Sequence, residues 1–318
     1  MNEKLIARIV RQTQVPDLVT VLAEKLSPTD LQSLLLAVFQ KRTARLTPAM
    51  LFEQYQHNRF VQPAGLDSIK LLKFDGLAYS LASPQFMPIQ VSPVCPLGTI
   101  SVITPVHQNN TLTTIRNTEV CSDVTNVLAL ECARRRRELL LKHPKTPERV
   151  KFCTSHRLLR TQSSDEPGAF PHFQIFVLCT AGRDEGSGKF EMTELHTHLD
   201  FYLRLLQQAE KLNLVLNDVR VKLTAFHERW VKRLPTELTP AFSDRFPDIN
   251  FHFDHFPPAA ENYYSAVRMQ IYARNRVGTD FLLVDAGFTN WTQKLLGNRK
   301  ERLLTSGIGS ERLLQCFQ

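Results

Sequence analysis

The stretch Thr305-Ser306-Gly307-Ile308-Gly309-Ser310-Glu311-Arg312-Leu313-Leu314, near the end of the 318-residue chain, determines how the rest is interpreted. Its two glycines, one residue apart, allow a strand to lie flat against a planar group, where a Cβ atom would collide. The Glu-Arg-Leu-Leu run is typical of the first turn of a helix, which fixes Arg312 beside the same surface. A flat backbone next to a fixed guanidinium predicts a site for a purine with its phosphates nearby.

Length and composition indicate a globular chain with a large core. A hydrophobic share of 43% and a charged share of 22% are ordinary for such proteins, and 318 residues suit one large domain or two smaller ones. There is no apolar run of membrane-spanning length, and the N-terminus lacks a signal-peptide core. The six cysteines are scattered without a Cys-x-x-Cys pair, which favours a reducing cytoplasm over a disulfide framework or a zinc ribbon. The net charge of +8 suits polyanionic ligands such as nucleotides or RNA.

Residues 1–62 are predicted to form an N-terminal helical region. Apolar side chains recur at helical spacing between residues 31 and 39, after the cap-like segment Ser27-Pro28-Thr29-Asp30. Thr47-Pro48 starts a further helix. Pro63-Ala64-Gly65 breaks the pattern, so we assign residues 63–318 to one core domain. Nothing in the helical region indicates chemistry, and a role in packing or partner binding is expected.

A longer helix is predicted after residue 122. Residues 112–116 have the composition of a strand, and Ser122-Asp123-Val124-Thr125 then provides an N-cap. The helix contains Arg134-Arg135-Arg136-Arg137. Four consecutive arginines point around the whole helix, so at least some contact solvent, and cations also suit a helix C-terminus. An RNA-facing patch is the alternative interpretation of this run.

The region from residue 150 to residue 182 completes an ordered set of segments. A strand reaches Arg160, a polar loop follows, and a second strand begins at Phe173. With a proline-ended strand at 86–93, the capped helix and the terminal Gly-x-Gly-x-Glu-Arg, this order resembles the core of class II aminoacyl-tRNA synthetases of the histidyl type. The resemblance covers residues 66–318. It implies an α+β fold, an antiparallel sheet flanked by helices, and a homodimer formed through the proline-ended strand.

The resemblance implies that ATP and Mg²⁺ bind to this core. Arg160 and Arg312 would be the catalytic residues, because the first would neutralise charge that grows on the α-phosphate and the second would lie beside the phosphates. Gln162 replaces a glutamate that helps to hold ATP in the family, and its carbonyl can still accept a hydrogen bond from the adenine amino group. The residues expected to contact the nucleotide are Arg160, Gln162, Phe173, Gly307, Gly309 and Arg312.

The same resemblance gives expected contacts for an amino-acid substrate, namely Asp123, Thr125, Tyr263 and Tyr264. In the family an acidic residue at the mouth of the capped helix receives the ammonium group, and Asp123 is at that place. The alternative for Asp123 is a plain N-cap. No metal site is expected within the chain itself, since His252 and Asp254 would share one face of a strand while His255 points away.

The amino-acid pocket departs from the histidyl pattern. The family's pocket Gln and Glu are replaced by Ile175 and Cys179, and an arginine four residues before Tyr263 is lost. A Gly-Gly-Arg-Tyr-Asp turn is replaced by residues 286–290. Apolar neighbours do not repair the loss of a charged contact in a buried site, so histidine is not the expected substrate. The chain ends soon after Arg312, which indicates a paralogue without an anticodon-binding domain.

Two functions from different classes fit this sequence. The first is an ATP-binding enzyme that forms the adenylate of a small carboxylic or amino acid other than histidine, and the two retained arginines favour it. The second is a non-catalytic paralogue, either a metabolite sensor or a regulatory subunit like that of ATP phosphoribosyltransferase. The altered pocket favours this second function. RNA binding through the arginine run is compatible with both.

Overall fold

Most of the chain builds one large sheet and the helices that cover it. The computed structural model describes residues 3–162, 168–256 and 263–318. The chain divides into two compact units, residues 1–62 with 113–118 and residues 63–112 with 119–318. The large sheet and every residue assigned to the site belong to the second unit.

Helices make up the N-terminal part of the first unit. They are α1 (Glu3–Thr13), α2 (Leu18–Thr20), which continues as a π-helical turn (Val21–Lys25), α3 (Pro28–Thr43) and α4 (Pro48–His57). The predicted caps are confirmed, because Ser27 Oγ accepts from the Asp30 amide at 3.1 Å and Thr47 Oγ1 accepts from the Met50 amide at 3.3 Å. None of the described residues in these helices is buried.

The strand predicted at residues 112–116 is wrong. The chain turns there, with Asn117 at a positive φ of 54° and a 2.6 Å hydrogen bond between the hydroxyls of Thr114 and Thr118. Asparagine tolerates this left-handed backbone better than most residues do, so Asn117 was the signal for a turn. The extended segment is Thr118–Val120 instead.

The sheet confirms the predicted α+β class. The strands in the described residues are β1 (Met87–Pro88), β2 (Val94–Pro96), β3 (Thr118–Val120), β4 (Val150–Leu159), β5 (His172–Arg183), β6 (Asn217–Ala225), β7 (Asn250–His255), β8 (Val267–Arg274), β9 (Asp280–Thr289) and β10 (Glu301–Ile308). Strands β2 and β3 pair separately, and the other eight follow the order β1-β4-β5-β10-β9-β8-β6-β7. Neighbours are antiparallel except β1 with β4 and β6 with β7.

Helices flank this sheet. They are α5 (Ser68–Ala82), α6 (Thr99–Ile103), α7 (Val124–Lys142), α8 (Lys189–Gln207), α9 (Glu228–Val231), α10 (Arg233–Ser243), α11 (Trp291–Leu296) and α12 (Ser310–Cys316), with 3₁₀ turns at Gln108–Asn110 and Ala209–Leu212. None of the helices in the described ranges is long and apolar enough to cross a bilayer. All six cysteines are free thiols.

The two faces of the sheet differ in what covers them. Side chains alternate along each strand, so Phe176 and Leu178 of β5 join Leu304 of β10 in the main core, together with residues of α5, α8 and α10. Val177 and Cys179 point to the opposite face, where α7 and Trp291 pack. We call this second face the site face, because the glycines of the terminal stretch open onto it.

Candidate functional site

The terminal stretch forms the predicted strand and helix, β10 followed by α12. The amide of Gly309 donates to the Leu283 carbonyl at 3.2 Å, and Arg312 Nη1 donates to the Leu282 carbonyl at 3.1 Å. Leu283 is an extra residue of β9 that the pairing with β8 passes over. This bulge therefore turns two carbonyls toward the start of α12 and fixes Arg312. Arg312 Nε also donates to the Gly168 carbonyl at 3.3 Å.

At Gly307 the site face is open. Gly307 is half-buried and lies between Val177 of β5 and Asp285 of β9 in the sheet register. A Cβ atom on Gly307 would lie 3.6 Å from Val177 Cγ1 and 3.8 Å from the Phe176 carbonyl oxygen, which are ordinary contact distances. Packing within the protein therefore does not require a glycine here. We call Gly307 and its neighbour Asp285 the open end of the site face, which borders the wholly buried Val177.

Two residues earlier on β10 the site face is filled. Thr305 pairs with Cys179 on one side and Gly287 on the other, and these three residues are called the filled end. A Cβ atom on Gly287 would lie 2.4 Å from Tyr264 Cδ1, so the buried Tyr264 ring lies directly on this glycine. Cys179 is wholly buried, with its Sγ 3.6 Å from Cys132 Sγ. The side chains of the protein thus occupy the surface at this end.

One segment of the filled end differs from the sequence expectation. Residues 286–289, which replace a turn of the histidyl pattern, lie within strand β9. Burial raises the pKa of the Cys132 thiol well above its ordinary value, and Cys179 adds to the effect. The Cys132 thiol is therefore a packing group and not a reactive nucleophile.

Arg160 and Phe173 lie in contact with each other. The Arg160 guanidinium lies over the Phe173 ring, 5.1 Å from its centroid, and Arg160 Nε donates to the Ser122 carbonyl at 3.0 Å. Arg160 and Gln162 are exposed. Arg160 precedes the polar loop, and the Gly168 end of that loop accepts from Arg312, so both predicted arginines attach to one loop. Part of the loop, residues 163–167, lies outside the described residues.

Glu311, next to Arg312, connects the start of α12 to strands β4 and β5. It is buried, and its Oε2 accepts from the Gln174 amide at 3.0 Å and pairs with Arg157 Nη1 at 3.1 Å. Gln174 directly follows Phe173 on β5. The acidic residue of the terminal stretch therefore positions the start of β5 and is unavailable to a ligand.

The four predicted substrate contacts also lie together. Asp123 caps α7, as predicted, and its Oδ1 accepts from the Thr125 amide at 2.9 Å and the Thr125 hydroxyl at 2.6 Å. Its Oδ2 accepts from the Tyr263 hydroxyl at 3.0 Å. The Tyr263 and Tyr264 rings are 4.8 Å apart, edge to face. The carboxylate is thus both an N-cap and the centre of an internal polar cluster, with no described oxygen left without a protein donor.

A charged pair on the site face was not predicted from the sequence. Arg268 of β8 donates to both oxygens of Asp285, at 2.8 and 3.0 Å, and the side chains are 35% and 36% exposed. Burial lowers the pKa of Arg268 and the Asp285 carboxylate raises it, with a net upward shift. The signal was present, since Arg268 lies between the apolar residues Val267 and Met269 of an alternating strand and must point to the opposite face.

The arginine run of α7 is only partly a surface feature. Arg136 is wholly buried and forms a two-bonded ion pair with Glu301 at 2.8 and 3.0 Å, so an RNA-facing role for this arginine is wrong. Arg134 and Arg135 are exposed and pair with Glu131. Arg137 is exposed as well. A helix places four consecutive residues on all sides, which is why one of them meets the sheet.

Solved structures of synthetases share this fold. The apo histidyl-tRNA synthetase of S. aureus matches with a TM-score of 0.57 and 13% identity over 81% of this chain and 69% of that chain. An ATP phosphoribosyltransferase regulatory subunit/histidyl-tRNA synthetase from Bacillus halodurans C matches with a TM-score of 0.55 and 13% sequence identity. The match covers 82% of this chain and 83% of that chain. A histidine–tRNA ligase subunit from Alicyclobacillus acidocaldarius matches with a TM-score of 0.52 and 11% sequence identity. The match covers 80% of this chain and 96% of that chain. No protein-family model and no curated protein sequence matches.

At such identities the likeness concerns the fold. The chain therefore has a class II aminoacyl-tRNA synthetase-like fold, a mostly antiparallel sheet flanked by helices.

Proposed function

We propose that this chain is a class II synthetase-like paralogue that binds ATP as a sensor and does not activate histidine. One observation carries the proposal, namely that the site face is open at Gly307 and filled at Gly287. In the proposed site the nucleotide would stack on the surface at Gly307, and the side chain of an amino-acid substrate would occupy the surface at Gly287. The B. halodurans neighbour is described as an ATP phosphoribosyltransferase regulatory subunit/histidyl-tRNA synthetase, which supports a role of this kind.

The nucleotide would be held by groups that meet around the open end. The purine would stack over the backbone of Gly307, with Phe173 and Gln162 beside it. Arg160 and Arg312 now donate to main-chain carbonyls, and phosphate oxygens are stronger acceptors for guanidinium groups than neutral carbonyls are. ATP therefore gains two charge-assisted contacts without any rearrangement of the sheet.

Mg²⁺ would accompany the phosphates. Within the described ranges, no three His, Cys, Asp or Glu side chains are grouped to bind a metal ion. Magnesium commonly keeps several waters and takes its other ligands from substrate phosphates, so a dedicated cluster is not needed. The chain's own contribution would be the two arginines, which neutralise phosphate charge.

Calorimetric titration with ATP and Mg²⁺ tests the proposal. We expect saturable binding, and each of Arg160→Ala and Arg312→Ala should weaken it about tenfold or more, since each removes a charge-assisted contact. Arg137→Ala is the matched control, because this arginine is exposed on α7 and lies outside the site. Absence of ATP binding by the parent, or unchanged binding by both site variants, would overturn the assignment.

Adenylate formation is the second candidate, favoured by the Asp123 carboxylate at the mouth of α7. A ligand ammonium group can replace the Tyr263 hydroxyl as the donor to Asp123 Oδ2. ATP–pyrophosphate exchange across the amino acids and small carboxylic acids distinguishes the candidates. Exchange with one acid establishes an enzyme and names its substrate, whereas ATP binding without exchange supports the sensor.

Self-association through the proline-ended strand is proposed as part of either function. Strand β1 is at one edge of the sheet, and its Met87 side chain is 56% exposed. A second copy that packs on this edge would bury it. Light scattering of the parent and of Met87→Glu tests this, and a monomeric parent would exclude it.

A further inference from the structure

We infer that Asp285 is a ribose contact, so that the site discriminates ribonucleotides from deoxyribonucleotides. The inference rests on the proposed ATP site and adds a specificity-determining residue to it. Asp285 is on β9, one strand away from the glycine strand, and belongs to none of the segments from which the nucleotide contacts were predicted. Its position, its remaining hydrogen-bonding capacity and its charge all support this assignment.

Position is the first argument. Gly307 has two cross-strand neighbours on the site face, Val177 on β5 and Asp285 on β9. Directly paired residues in an antiparallel sheet have Cα atoms about 4.5–5.5 Å apart, which is close to the distance between a purine and the hydroxyls of its ribose. A purine over Gly307 therefore has an apolar side chain on one side and a carboxylate on the other. Only the carboxylate accepts hydrogen bonds from sugar hydroxyls.

Remaining acceptor capacity is the second argument. A carboxylate offers about four acceptor sites on two oxygens. Arg268 uses two of them. The Asp285 side chain is still 36% exposed. The bidentate guanidinium thus fixes the carboxylate plane without covering it, as a preorganised acceptor for a vicinal diol requires.

Charge fixes the direction of the bound nucleotide. The Arg268–Asp285 pair is neutral overall, so it tolerates a sugar but provides no net attraction for phosphate. Arg160 and Arg312 have no carboxylate partner among the described residues, and they attract phosphate. The triphosphate is therefore directed toward these two arginines, and the neutral ribose is the part of the nucleotide that lies beside Asp285.

The test compares ATP, 2′-dATP and 3′-dATP by calorimetric titration of the whole chain. The parent should bind at least one deoxynucleotide about ten- to hundredfold more weakly than ATP, which is the range for loss of a hydrogen bond to a charged acceptor. Asp285→Asn should bind ATP more weakly and lose most of this discrimination. Asp285→Ala, which removes the side-chain acceptors altogether, gives the second measurement if the asparagine variant is poorly folded.

Asp280→Asn is the matched control. Asp280 is on the same strand and also pairs with an arginine, Arg220, but lies at the far end of β9. It should bind all three nucleotides as the parent does. Equal binding of ATP and both deoxynucleotides by the parent, or unchanged discrimination in Asp285→Asn, overturns the ribose assignment while leaving ATP binding intact. A parent that binds none of them overturns the proposed function itself.

Discussion

Gly307 and Gly287 lie on neighbouring strands of one sheet face, yet they are glycines for opposite reasons. The space above Gly287 belongs to the Tyr264 ring, so the fold itself demands a residue without a Cβ. A Cβ atom on Gly307 would meet protein atoms only at ordinary contact distances, so the fold does not require a glycine there. The comparison teaches that a glycine required by packing marks a closed surface, whereas one that packing does not require marks a candidate ligand surface.

The largest expected effect comes from the ion pair that anchors α7 to the start of β10. Arg136 and Glu301 are both 0% exposed, and Arg136 also donates to the Glu148 carbonyl. Glu301→Ala leaves the guanidinium buried without its charged partner, so we expect a loss of about 3–5 kcal/mol in the free energy of unfolding. Urea denaturation measures it.

A double variant provides the control for this pair. Arg136→Met combined with Glu301→Leu removes both charges and should recover most of the lost stability, because buried pairs are often replaceable by apolar side chains. If the urea midpoint of Glu301→Ala equals that of the parent, the pair does not anchor α7 to β10.

The sequence predicted those parts of the site that depend on neighbours along the chain. The β10–α12 junction and the Asp123 cap follow from local preferences, so both were found. The Arg136–Glu301 pair joins residues 165 positions apart, and no local pattern connects them. Asp285 was missed for the same reason, since its relation to Gly307 exists only through the register of the sheet.

The next largest loss of stability is expected when glycine at position 287 is replaced. Gly287→Ala puts a methyl group into the Tyr264 ring, and we expect a loss of about 1–3 kcal/mol, the usual range for overpacking a buried site. Thermal and urea denaturation measure it. Adding Tyr264→Ala should relieve the collision, although the cavity from the lost ring limits the recovery. Parent-like stability of Gly287→Ala would mean that the filled end is not tightly packed.

The free energy of unfolding should depend on pH, because a buried histidine packs against the core face of strand β10. His198 is wholly buried, with hydrogen bonds to Thr180 at 2.9 Å and Ser306 at 2.7 Å. Burial lowers the pKa of His198 well below its ordinary value, and burial also lowers the pKa values of His156 and His196. The unfolded chain therefore binds protons more readily than the folded chain as the pH falls.

The sign of the effect follows from this difference. The stability contribution of His198 is complete above about pH 6.5 and decreases below it, by up to about 1.4 kcal/mol per pH unit. Urea denaturation at pH 7.5, 6.5 and 5.5 measures the slope. His198→Gln should make it shallower, whereas an equal slope in this variant would assign the effect to other groups.

The smallest change in stability is expected at Gly307, together with a clear loss of binding. A Cβ at this position meets only ordinary contacts, so Gly307→Ala should stay within about 1 kcal/mol of the parent in urea. The same methyl group would project from the flat surface on which the purine is proposed to stack, and ATP affinity should fall about tenfold or more. The opposite pattern, a destabilised variant with parent-like ATP affinity, would show that Gly307 serves the fold as Gly287 does.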